Sequence, residues 1–180
     1  DQLEPAIYGF LKWRRKYSDW EYIGSELGVY STKYSVAGTI DALFNTPDGY
    51  VIVDWKTSSG IYDSHAIQVS VYAEAFRDMT NNLDTVHLVG NEKDRNMPKI
   101  FTKKRKLAGA MVVRFDNSYP LRSIPFAPRA IKERTKPKIF TDRVETVHLT
   151  PAECEIYAQE VSDLRLLKSR HARKLEKERF

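Results

Sequence analysis

The chain has a single cysteine, Cys154. A disulfide within the chain is therefore impossible, which favours a reducing compartment. Neither a thiolate zinc site nor a cysteine-held iron–sulfur cluster can be built. Histidine is scarce too: His65, His87, His148 and His171 show no metal-ligand spacing. Any metal must be held by oxygen. No apolar run approaches the ~18 residues of a membrane span, and no signal-peptide pattern opens the chain. The expected location is intracellular, in the cytoplasm or a nucleoid or organelle matrix, with no secretion and no membrane contact. The first residue is Asp rather than Met, so the expectation is that an upstream segment is missing.

At 180 residues the chain suits one domain. Its net charge of +5 hides an asymmetry. Residues 1–92 carry 7 basic and 13 acidic side chains, and residues 93–180 carry 22 basic and 11 acidic. An acidic half joined to a basic half suits a cation site facing a polyanion.

Helical spacing of Ile7, Phe10, Leu11 and Tyr17 predicts an amphipathic helix over Leu3 to Tyr17. Tyr22 to Ser31, Tyr34 to Phe44 and Tyr50 to Lys56 read as strands of an antiparallel meander, with Asn45 to Gly49 as the second turn. A helix capped by Ser64 should follow, over His65 to Asp78, with Ala66, Ile67, Val71, Ala75 and Met79 inward. Thr85 to Val89, Ala110 to Phe115 and Val144 to Leu149 are further strands, separated by a polar stretch over 91–109 and a basic, proline-rich loop over 117–142. Thr150-Pro151-Ala152-Glu153 combines a capping box with proline at the first helical position, opening a basic C-terminal helix over 150–180. The order implies a mixed α/β (α+β) domain.

Chemistry concentrates between residues 26 and 72. Asp54 and Lys56 are two apart on a strand and so share a face, while Val51, Val53 and Trp55 take the other. If Pro47-Asp48 is the centre of a two-residue turn, Asp41 falls opposite Asp54, with β-carbons about 5 Å apart. Pro-Asp-Gly suits equally a three-residue turn with a bulge at Gly49, which would separate the two carboxylates. Paired carboxylates repel unless a cation lies between them, and hard divalent ions prefer such oxygens. Alone, Asp54-x-Lys56 reads as an ordinary ion pair, and Gln68 with Tyr72, one helical turn apart, as a polar helix face. Together, in this order, they form a pattern.

The pattern resembles the RecB-type branch of the PD-(D/E)xK nuclease superfamily: a strand Glu (Glu26), G-x-x-D (Gly38, Asp41), D-x-K-T (Asp54, Lys56, Thr57) and Q-x-x-x-Y (Gln68, Tyr72). The resemblance implies a restriction-endonuclease-like core, a central mixed sheet flanked by helices. It implies Mg²⁺ or Mn²⁺ held by Asp41, Asp54 and the main-chain carbonyl of Trp55, with catalysis by Asp41, Asp54, Lys56 and Glu26. Gln68, Tyr72, Thr57 and Ser58 would bind the nucleic acid. Many RecB-type nucleases add a histidine ligand from a helix before the strands. No histidine precedes His65 here, so that ligand lies upstream or this branch does without it.

The resemblance implies a metal-dependent deoxyribonuclease acting on single-stranded DNA or duplex ends, an exonuclease or structure-dependent nuclease of replication, recombination or repair working with a protein partner. The competing reading is an inactive nucleic-acid-binding domain on the same fold. A sequence-specific restriction-type endonuclease is disfavoured, because the Q-x-x-x-Y helix is more typical of end-processing enzymes. Basic clusters at Lys99 to Lys106, Arg122 to Arg143 and Arg165 to Arg179 suit phosphate contact without base reading. Tyr119, Phe126 and Phe140 either stack on unpaired bases or anchor their loop.

Overall fold

The computed structural model describes residues 4–82, 85–88, 99–102, 106–115 and 144–177. Helix α1 (Glu4–Lys16) leads into a meander of β1 (Glu21–Ser31), β2 (Val36–Thr46) and β3 (Gly49–Lys56). Helix α2 (Asp63–Asn82) follows, then β4 (Thr85–Leu88), β5 (Lys99–Thr102), β6 (Leu107–Phe115), β7 (Val144–Leu149) and α3 (Pro151–Lys177). The main sheet runs β1-β2-β3-β6-β7. Its β3–β6 pair is parallel, whereas β1–β2, β2–β3 and β6–β7 are antiparallel. The parallel pair forces a crossover, and α2 lies within it. This is the mixed sheet with flanking helices expected of a restriction-endonuclease-like core.

Two apolar layers cover the sheet. On one face Leu27, Ile40, Leu43, Ile52 and Val112 meet Val69, Ala73 and Phe76 of α2 and Cys154 and Ala158 of α3. Each large side chain buried as completely as Phe76 contributes roughly 1.5–3 kcal/mol. The other face is aromatic: Trp13 of α1 packs with Phe44, Val53, Met111 and Phe115, and Tyr17, Trp20 and Trp55 close the cluster. Burial of β3 on both faces explains why its sequence reads as a continuous apolar run.

Three local expectations are corrected. The buried side of α1 is Pro5, Gly9 and Trp13, while Ile7, Phe10 and Leu11 are exposed. The sheet's own aromatics fill this layer, so the helix approaches through its smallest residue; a Cβ on Gly9 would lie 3.1 Å from the Phe115 ring. Ser64 lies inside α2, whose first residue is Asp63. The strand near Thr85 pairs with β5, drawn from the polar 91–109 stretch, as a separate two-stranded sheet. The capping box of α3 is present: Thr150 N–H donates to Glu153 Oε2 (2.7 Å) and Glu153 N–H to Thr150 Oγ1 (3.3 Å). The 117–142 loop, with Tyr119, Phe126 and Phe140, and Arg179 lie outside the described residues, as do Lys103, Lys104 and Arg105.

Candidate active site

The β2–β3 turn sets the register of the two strands that carry the carboxylates. Thr46 pairs with Gly49, so Pro47 and Asp48 form a two-residue turn, and the register continues through Phe44–Val51 to Ala42–Val53. Thr46 Oγ1 fixes the corner by donating to the Gly49 carbonyl (2.8 Å). Gly49 has φ +134°, and a Cβ there would lie 2.3 Å from the Lys106 carbonyl oxygen. The paired register ends at Ala42–Val53, one step short of Asp41 and Asp54.

The strands are irregular at that step. Ile40 and Leu43 both belong to the α2-side layer, whereas Ala42 and Phe44 belong to the aromatic one. Strict alternation forbids Ile40 and Leu43 sharing a face, so the pleat slips at Asp41. Across β1–β2, Ser25–Ala42 and Leu27–Ile40 bracket Glu26 and Asp41, and Glu26 has φ +51°, the left-handed region. A non-glycine residue held there is backbone strain of the kind that clusters at functional sites. The slip releases the Asp41 carboxylate toward β3, where its Oδ2 accepts the Trp55 N–H (2.9 Å). Glu26 itself is exposed.

A chain of polar contacts leaves Asp54. Its carboxylate is buried, with Lys56 Nζ 2.7 Å from Oδ2. Lys56 Nζ donates to Gln68 Oε1 (3.2 Å), and Gln68 Nε2 to the Tyr72 hydroxyl (3.5 Å). Gly38 makes room for this arrangement: a Cβ there would sit 2.3 Å from Tyr72 Cε1 and 2.9 Å from its hydroxyl. The structure thus brings Asp41, Asp54, Lys56, Gln68 and Tyr72 together at the C-terminal end of β3.

Burial raises the Asp54 pKa above the ordinary aspartate value; Lys56 opposes the shift, and the neighbouring Asp41 carboxylate adds to it. A raised folded-state pKa means that the fold favours the neutral acid. Asp54's contribution to stability is therefore complete below its unfolded pKa and is lost as pH rises through the folded value. A bound cation would offset that loss. We expect Mn²⁺ to raise the melting temperature more at neutral pH than at a pH near the ordinary aspartate pKa, and Asp54→Asn to abolish the difference. Equal shifts at both pH values would contradict the assignment; differential scanning fluorimetry measures them.

Two supporting elements escaped the sequence reading. Arg114, nearly buried, pairs in register with Lys56 on the adjacent strand. Its Nε donates to the Ser58 carbonyl (2.5 Å), and its Nη1 lies 3.2 Å from Glu145. It ties the loop after β3 to the sheet. A lone arginine inside the apolar run Ala110 to Phe115 was the available signal. Ser58 Oγ is turned back to the Gly60 carbonyl (2.8 Å), while Thr57 is exposed. The second element is the Tyr62–His65 corner at the start of α2, where Tyr62 N–H donates to His65 Nδ1 (3.3 Å) one helical turn before Gln68.

Other polar features lie elsewhere. A cleft of about 530 Å³ lined by Asp48, Arg77, Thr80, Asn81 and Lys106 sits at the opposite, hairpin end of β3. Arg165, from the third basic cluster, donates to the Ser35 carbonyl (2.8 Å) and so ties α3 to the β1–β2 turn. Buried Cys154 has its thiol pushed up to about 11, which leaves it unreactive.

Among the described residues no group of three or more His, Cys, Asp or Glu side chains gathers as a metal cluster, and no helix is long and apolar enough to cross a membrane. The donor set at Asp41 and Asp54 nevertheless fits a hard cation: two neighbouring carboxylates, one of them buried, whose oxygens are the ligands such ions prefer. No curated protein matches the chain. The sequence pattern of the PD-(D/E)XK nuclease superfamily matches residues 1–179, the mixed sheet with flanking helices agrees with it, and the chain belongs to that superfamily.

Proposed function

We propose that this chain is a single metal-dependent deoxyribonuclease domain of the RecB-type branch, trimming single-stranded DNA or duplex ends in replication, recombination or repair. An intracellular protein working beside a partner fits that role. The observation that carries the reading is the juxtaposition of buried Asp54 with Asp41 and Lys56 at the end of a parallel strand. Buried like charges lower stability, and a fold retains such a feature where function uses it.

Asp41, Asp54 and the Trp55 main-chain carbonyl would hold Mg²⁺ or Mn²⁺, which polarises a scissile phosphate and lowers the pKa of a water nucleophile. Lys56 orients that water or neutralises charge growing on the phosphate oxygens. Gln68 holds the Lys56 ammonium in place through its Oε1. Tyr72, in its glycine-lined recess, positions the strand with Gln68. Ser58 and Thr57 present backbone N–H groups to a phosphate from a loop braced by Arg114. Glu26, exposed and flanking Asp41, acts through water.

The test is cleavage of end-labelled single- and double-stranded DNA in Mg²⁺, Mn²⁺ or EDTA, with Asp54→Asn alongside. Cleavage that needs the metal and disappears in the variant is the expected result. DNA binding without cleavage in any metal would instead favour an inactive binding domain.

A further inference from the structure

Ser59, Tyr62 and His65 form a corner between β3 and α2 to which the reaction above gives no task. Tyr62 is 52% exposed, yet its position is fixed by three contacts. Its hydroxyl shares a hydrogen bond with Ser59 Oγ (2.6 Å), its N–H donates to His65 Nδ1 (3.3 Å), and its ring meets the His65 ring T-shaped at 5.3 Å. The His65 N–H returns a bond to the Tyr62 carbonyl (2.9 Å). The third helical residue thus caps the N–H of the residue before the helix, a role usually taken by Glu or Gln. A glutamate would cap as well; histidine adds a ring.

The capping bond also sets the histidine tautomer. With Nδ1 accepting, the ring proton of neutral His65 resides on Nε2, which becomes a donor. His65 stands one helical turn before Gln68, whose Oε1 accepts from Lys56, so the corner adjoins the same end of β3. An exposed tyrosine normally samples several rotamers, and ordering one costs entropy. Here that cost is met within the free protein, which is preorganisation for a flat ligand. Aromatic faces beside a phosphate site are how single-stranded nucleic acids are held without base reading.

We propose that Tyr62 is a stacking platform for one unpaired base of a single-stranded nucleic acid, with His65 Nε2–H donating to its sugar–phosphate backbone. The proposal rests on the nuclease reading for the direction of the strand toward Asp54. It makes Tyr62 and His65 substrate-binding residues and assigns sequence-tolerant single-strand capture to this corner.

The test is fluorescence anisotropy with the full chain in EDTA, using a short single-stranded oligonucleotide and an abasic counterpart of equal charge. Tyr62→Ala should weaken binding of the normal strand about tenfold and leave the abasic strand nearly unaffected. Tyr62→Phe and Tyr62→Trp should bind as the wild type does. Unchanged binding of the normal strand by Tyr62→Ala overturns the proposal. So does an equal loss on both strands, which would mark Tyr62 as a loop support. A parallel Mn²⁺ cleavage assay separates the two readings. Tyr62-dependent binding without cleavage sinks the nuclease reading and keeps the platform; cleavage with Tyr62-independent binding sinks the platform alone.

Discussion

Replacing Lys56 with alanine is expected to lower metal-dependent cleavage by about two to three orders of magnitude, the usual cost of removing one group that meets transition-state charge. Divalent metal affinity, in contrast, stays level or rises. Lys56 Nζ stands 2.7 Å from Asp54 Oδ2, so the ammonium competes for the carboxylate a metal would use. Removing it removes the competitor. Asp54→Asn behaves oppositely, losing cleavage and metal affinity together. Single-turnover cleavage and Mn²⁺ titration calorimetry separate the two effects. A Lys56→Ala protein that cleaves normally, or loses its metal affinity, would show that Lys56 is a structural partner of Asp54 only.

Gly38→Ala is expected to lower cleavage by up to ~100-fold, the scale seen when a positioning group moves by about an ångström. The added methyl would stand 2.3 Å from Tyr72 Cε1, and the ring is the part free to move. It swings away from Gln68, whose other end holds Lys56. The defect therefore reaches the reacting end through two hydrogen bonds, without any change in charge. Tyr72→Ala should produce a similar loss, and the double variant should be little worse than either single one, because both remove the same placement. Additive losses in the double variant would show that Gly38 and Tyr72 act independently. Thermal melts accompany the kinetics: a loss of stability in Gly38→Ala relieved by Tyr72→Ala is the sign of steric conflict between the two.

Sheet alternation alone put Asp54 and Lys56 on one face, because a side-chain period of two admits no other outcome within a regular strand. The helix carrying Gln68 and Tyr72 and the capping box at Thr150 were legible for the same reason: each is local and repeats over a few residues. Glycine at position 38 was visible only as part of a pattern; its reason, a tyrosine ring 34 positions later, is a tertiary fact. Arg114 is similar. In sequence it interrupts an apolar strand, and only the parallel pairing with Lys56 places it under the Ser58 loop. The α1 face was misread because helical periodicity records where apolar residues are, whereas packing against Phe115 selected the small Gly9.

Thus the sequence by itself determined that Asp54 and Lys56 share one strand face, the residue types available to hold an oxygen-ligated cation, and the exclusion of an internal disulfide and of a cysteine-held metal cluster. The convergence of Asp41 on Asp54 was left between two turn geometries of nearly equal merit. Tertiary structure decided it. The Thr46–Gly49 pairing set the register, and the slip at Asp41 turned its carboxylate to the Trp55 N–H. A hairpin fixes register through the backbone of two strands at once, and no periodicity within either strand carries that information.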